Sequence, residues 1–152
     1  MSSDSQHYVD LLRRMRHGYA NQIQVLSGWL ELSDLGRARE ALADLRTTLR
    51  RDQMVLHQPA PEAALYLYAC IQGAADMGMV LVCEDLVLSA WASLQRSGQP
   101  LTELHSIRQE YGREELVVYL SVAEREQNIH LQFTIEGGGS RQLTVNAGIC
   151  PA

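Results

Sequence analysis

Between Tyr8 and Leu30 the apolar residues Tyr8, Leu12, Met15, Tyr19, Ile23, Leu26 and Leu30 recur at steps of four and three. That is the seam of a packed helix, since a strand would alternate every second residue. The spacing predicts one helix from Ser5 to Leu32, well beyond the ~10–14 residues usual in globular proteins. Ser33-Asp34-Leu35-Gly36 interrupts it. Ser33 or Asp34 can cap a following helix, and Gly36 permits a tight turn. A second helix is expected from Gly36 to Leu56, with Ala38, Ala41, Leu42, Leu45, Leu49 and Leu56 on one side. So short a connection makes the two helices antiparallel neighbours. Each then buries only one stripe, leaving Trp29 and Leu32 near the tip uncovered. A second copy of the hairpin would complete a four-helix core, so a homodimer is expected.

His57-Gln58-Pro59-Ala60-Pro61 reads as a linker. Beyond it the patterns predict a helix over 62–77, a buried strand over 79–83, a helix over 85–95 carrying Leu86, Leu88, Trp91 and Leu94, and a shorter helix over 101–111. Strands are expected over 115–123, 128–136 and 142–146. The order α-β-α-α-β-β-β indicates an α+β domain with helices on one face of a small mixed sheet. The expected domains are thus a hairpin over 5–56 and an α+β unit over 62–150.

No run approaches the ~20 apolar residues that cross a bilayer, and Met1-Ser2-Ser3-Asp4-Ser5 lacks the character of a signal peptide. A cytoplasmic protein without membrane or sensory segments is expected. Cys70, Cys83 and Cys150 form no CxxC pair, which argues against a metal site or disulfide framework; Cys70 and Cys83 lie in apolar runs and read as small core residues. There is no lysine. Residues 1–56 carry eight arginines against seven acids, and residues 57–152 carry five against eleven. A nucleic-acid binder normally shows a clear basic excess, so none is expected here. An arginine-studded hairpin beside an acidic domain suits an acidic or phosphorylated protein partner, with a merely solvated helix face as the equal alternative.

His17 does not lie on the apolar stripe. With Leu12 and Tyr19 at heptad position a and Met15 at d, it falls at f, opposite the core. Its one-turn neighbours are Arg13, Arg14, Ala20 and Asn21. An isolated histidine there would ordinarily be a solvated surface residue. Flanked by cations and an amide, it can also attack, hold and surrender a phosphoryl group.

The words around it carry a resemblance. Arg16, His17, Asn21, Gln24, Val25, Gly28, Leu30 and Leu32, followed by Glu40, Ala41 and Leu42, resemble the helical hairpin of the sporulation initiation phosphotransferase B family. Sensor histidine kinases of that type share the hairpin. The resemblance covers residues 8 to 56 and extends through element order over the rest. It implies that His17 is the phosphoacceptor, that the hairpin dimerises into a four-helix bundle, and that the remainder is a small α/β sandwich, a reduced histidine-kinase ATPase domain. It further implies response regulators as partners, with Mg2+ supplied by the regulator and no cofactor bound by this chain. In that role Arg13, Arg14 and Arg16 would bind and offset phosphate charge, and Asn21 would orient the imidazole or a water.

Gly18 departs from the pattern, because kinases of this type use an acidic residue there to ready the histidine for ATP. The segment 84–94 contains no asparagine where the family's magnesium-holding motif would lie. Glu136-Gly137-Gly138-Gly139 approaches its adenine-reading loop, but strand-flanked glycines mostly mark hairpin turns. His7, His57, His105 and His130 lack partners at ligand spacing and read as structural or surface residues. The leading expectation is a phosphorelay phosphotransferase of a two-component system, passing a phosphoryl group between response-regulator aspartates through phosphohistidine. A divergent autophosphorylating sensor kinase and a non-catalytic regulator-binding module are the alternatives.

Overall fold

The computed structural model describes residues 3–87, 89–112 and 115–148. The chain divides into two compact units, Met1–His57 and Gln58–Ala152.

In the first unit, helix α1 spans Ser3–Glu31 and α2 spans Leu35–Leu56. The turn between them is made differently from the expectation. Asp34 N–H bonds Trp29 C=O (2.9 Å) and Ser33 N–H bonds Leu30 C=O (3.0 Å), the paired bonds that close a helix C-terminus around a left-handed residue. That residue is Ser33, with φ 57°; Gly36 lies within α2. Asp34 caps α2 by accepting from Arg37 N–H at 3.1 Å.

Two hydrogen bonds define the register of the hairpin. Tyr19 Oη donates to Asp52 Oδ2 at 2.5 Å, and Gln22 Nε2 donates to Thr48 Oγ1 at 2.9 Å. This register brings Leu26 level with Leu45. Leu11 and Ala38 are buried, and Met15, Leu26, Ala41 and Leu45 are half-buried. The single apolar stripe read from sequence therefore separates into two. Leu12, Ile23 and Leu30 on α1 stay more than half exposed. On α2, Leu35, Leu42, Leu49 and Leu56 recur every seventh residue, 60, 36, 50 and 44 % exposed. By helical phase both exposed rows flank the seam on the same side of the hairpin. At the tip, the Arg37 guanidinium lies 4.6 Å from the centre of the Trp29 ring and shelters it as a cation over a π face. Leu32 remains exposed.

The second unit begins with α3 (Pro61–Asp76), its proline in the first turn where no amide is needed. Strand β1 (Met79–Val87), α4 (Trp91–Arg96), α5 (Leu101–Tyr111), β2 (Leu116–Arg125), β3 (Asn128–Ile135) and β4 (Ser140–Asn146) follow. The sheet order is β1-β2-β3-β4. β1 runs parallel to β2, and the other neighbours are antiparallel. Val118, Leu120, Val122, Leu131, Phe133 and Ile135 point to one face and are buried, as are Leu67, Leu94, Leu104 and Ile107 from the helices. His130, Gln132, Gln142 and Thr144 on the opposite face are exposed. The unit is thus an α+β fold with a mixed sheet covered by helices on one side. At the outer strand, Arg141 points to the helix side and bonds Glu103 Oε1 (2.8 Å) and Glu110 of α5.

The helix expected over 85–95 is shortened to α4, which begins only at Trp91. Residues 85–87 continue β1, pairing with 121–123 of β2 past a bulge between Cys83 and Asp85. The ladder bonds supplied by the ten-residue partner strand β2 outweigh the local helical pattern. Leu88 and Cys150, which figured in the sequence reading, lie outside the described residues. Cys70 and Cys83 are both buried, and burial pushes each thiol up to about 12.

Glu124 of β2 holds the two residues that precede α4. Its Oε2 accepts from Ser89 N–H (2.9 Å), Ser89 Oγ (2.7 Å) and Ala90 N–H (3.3 Å). These bonds hold its carboxyl below the ordinary 4.5. A depressed folded-state pKa contributes stability above pH 4.5 that is lost as pH falls through the folded value. Glu124→Gln should therefore lower the melting temperature near neutrality and flatten its decline on acidification. Melts between about pH 3 and pH 7 would test this; an unchanged acid limb would refute it.

Candidate functional site

His17 is positioned by what α1 turns inward. At about 100° per residue, it lies roughly 140° around the helix from the seam residue Gln22 and roughly 140° from the exposed apolar residue Leu12. Covering the apolar row would leave the imidazole open. His17, Arg13, Arg16 and Asn21 are all exposed.

Asn21, one turn on, places Nδ2 3.3 Å from His17 Nε2. With the amide donating, Nε2 holds its lone pair and Nδ1 carries the proton. That lone pair is the nucleophile any group transfer to this ring needs. One turn before, Arg13 Nη1 bonds Asp10 Oδ1 at 3.2 Å in an exposed pair, and Gln6 Nε2 bonds the same oxygen at 3.2 Å. Gln6, Asp10, Arg13, His17 and Asn21 thus form a polar row along the outer side of α1. Asp10 was not singled out from sequence, although its i,i+3 spacing to Arg13 is the signal that could have found it. Exposed pairs of this kind contribute about 0–1 kcal/mol, so an arriving anion can compete for the guanidinium. Gly18 lies in the same helix, and a Cβ added there would meet nothing within 4 Å. Side-chain packing does not explain its presence.

The polar pairs on the other side of α1 are more enclosed. Burial pushes the Asp52 carboxyl up, with the Tyr19 hydrogen bond and the Arg51 charge offsetting part of the effect. Gln22 Oε1 is buried with no hydrogen-bond partner.

The glycine run forms the turn between β3 and β4. Gly138 N–H bonds Ile135 C=O at 2.9 Å, and Gly139 N–H donates to Tyr111 Oη at 3.3 Å. A Cβ at Gly138 would stand 2.9 Å from Tyr111 Cε1 and 3.1 Å from Ile135 Cγ2. Gly138 admits the Tyr111 ring, and two of the three glycine amides are already committed. Gly138→Ala should cost about 1–3 kcal/mol through overpacking, read as a lower urea midpoint. In a Tyr111→Ala background the cost should shrink; an equal cost in both backgrounds would refute the steric account.

The other histidines are dispersed. His7 lies against Tyr8 with ring centres 6.2 Å apart, His57 Nδ1 meets Gln53 C=O at 2.8 Å, and His130 Nδ1 meets Thr144 Oγ1 at 3.3 Å. His105 is exposed. Among the described residues, no three His, Cys, Asp or Glu side chains converge to hold a metal ion, and no helix is long and apolar enough to cross a membrane.

Residues 1–57 match the family model described as sensor kinase SpoOB-type, alpha-helical domain. The match covers the helical hairpin and the row that carries His17 and Asn21, and supports the resemblance read from the sequence over that unit. No curated protein matches the chain.

Proposed function

We propose that the protein is a histidine phosphotransferase of a two-component phosphorelay, with His17 as the phosphoacceptor and response regulators as donor and acceptor. The observation that carries this reading is the exposed imidazole whose Nε2 stands beside the Asn21 amide, within a hairpin that matches the SpoOB-type domain.

The chemistry follows from the ring. Nε2 attacks the phosphorus of a regulator's aspartyl phosphate as the Asn21 amide turns aside. The bond from phosphorus to the aspartate oxygen breaks, and the carboxylate leaves. His17 Nδ1 keeps its proton through the attack. Arg16, and Arg13 released from Asp10, offset the phosphoryl charge. Attack by a second regulator's aspartate on the same phosphorus reverses the sequence and restores the free ring. Positioning and charge compensation are what phosphoryl transfer asks of a protein, and the magnesium is brought by the regulator.

A homodimer belongs to the same reading, because the leucines at 35, 42, 49 and 56 form a heptad row on α2 that has no cover within the hairpin. Nucleotide has no part in it, which agrees with glycine at position 18 and with the Tyr111 ring seated on the glycine turn.

Separate incubations with radiolabelled ATP and with a phosphorylated regulator test the proposal. Label from the regulator alone is the expected result. Label from ATP would establish an autokinase, and binding without label from either source would establish a capture module. ATP should also leave the melting temperature unchanged, since a ligand of the native state stabilises it by mass action.

A further inference from the structure

We infer that the polar pairs Tyr19–Asp52 and Gln22–Thr48 form a register pin that sets the rotation and height of α1 behind His17. Asp52 and Gln22 are then positioning residues for the phosphoryl step. The inference rests on the phosphotransferase reading, in which His17 must be presented to a docked regulator.

The remainder of the seam discriminates poorly between registers. Leu11, Met15, Leu26, Ala38, Ala41 and Leu45 are small or aliphatic, and such side chains pack acceptably after a slip. The two polar pairs do not tolerate one. Tyr19 Oη reaches Asp52 Oδ2 at 2.5 Å, and Gln22 Nε2 reaches Thr48 Oγ1 at 2.9 Å. Thr48 Oγ1 at the same time donates to Asp44 C=O at 3.1 Å, so its proton is committed and its lone pair faces Gln22. Sliding α1 by one turn, about 5.4 Å, would break both contacts.

These residues are poorly suited to stabilising the hairpin. Gln22 Oε1 is left buried and unpartnered, and Asp52 keeps a carboxylate in a partly desolvated position. Apolar side chains of similar volume would pack there without either penalty. The best-attested use of such groups in a helical seam is to select one register at a cost in stability. Their location gives that selection a purpose. Tyr19 and Gln22 follow His17 by two and five residues, on the inward side of the same turns of α1. Any roll or slip they prevent would otherwise move the imidazole.

The test compares the full-length protein with a variant made apolar at the pin, Tyr19→Phe, Gln22→Leu, Thr48→Val and Asp52→Leu. Spin labels placed at Gln24 and Arg46, which are exposed and level with each other in this register, report the hairpin phase in protein diluted with unlabelled copies. The parent should give one narrow distance, and the variant a broad or split distribution. The variant's melting temperature should be equal or higher, while labelling of His17 from a phosphorylated regulator slows on the order of a hundredfold, as ångström misplacement of a reacting group can cause. Restoring Tyr19 and Asp52 together should recover the narrow distance and most of the rate; neither alone should. An unchanged distance, an unchanged rate, or a rate lost only in proportion to melting temperature would overturn the inference. If the parent accepts no label at all, the phosphotransferase reading fails, while the distance measurement still decides whether the pin selects the register.

Discussion

His17→Gln should abolish phosphoryl acceptance from a phosphorylated regulator while leaving the fold intact. Glutamine keeps a polar side chain on an exposed helix face, and surface substitutions of this kind usually change stability by within about 0.5 kcal/mol. The amide, however, has no ring nitrogen lone pair with which to attack phosphorus. His7, the other histidine of α1, cannot substitute within one docking geometry. His7 is ten residues earlier, about 15 Å along the axis at 1.5 Å per residue. Phosphotransfer assays with circular dichroism melts on the same samples give both readouts. Full labelling of the glutamine variant would remove the phosphoacceptor proposal and leave the capture module. Gly18→Asp on the parent should not create labelling from ATP, because a base beside the histidine supplies no nucleotide site.

The next largest effect is expected at the heptad row of α2. Leu49→Arg would place a cation at the centre of the surface proposed to meet a second hairpin, and a symmetric dimer contains the substitution twice. An unpaired charge buried in an apolar interface costs several kcal/mol, on the order of 3–5 for each site. The dimer would carry that cost twice. Sedimentation at micromolar concentration should show a dimer for the parent and a monomer for Leu49→Arg. Thr47→Leu, at an exposed position about 160° around the same helix from Leu49, should leave the dimer unchanged. A compact parent monomer, or a dimer indifferent to Leu49→Arg, would show that the leucine row serves something else.

Local patterns and nearest neighbours were legible in the chain itself. Steps of three and four made α1 and α2, a short polar break made them antiparallel, an apolar run made β2 and alternation made β3, because these signals act over one or two turns of chain. The position of His17 off the apolar stripe was legible for the same reason, since helical phase converts spacing directly into direction. Asn21 followed from it, being one turn away.

What the sequence could not decide depended on partners distant in the chain. One apolar stripe became a covered seam and an exposed row, since which side of a stripe is covered depends on where the second helix lies. Tyr19 was legible only as a member of the apolar stripe, and its pairing with Asp52, like that of Gln22 with Thr48, gave no sequence signal, because 33 and 26 residues separate the partners and only the antiparallel register brings them together. Residues 85–87 joined β1 because β2 offered a ladder, overruling a local helical pattern. Gly138 was explained only once the Tyr111 ring from α5 lay on it. Local periodicity thus determined the elements and the outward face of His17. Tertiary contact alone decided which apolar groups are covered, which polar groups meet, and what holds the face of His17 in place, because those energies exist only between segments that folding has made neighbours.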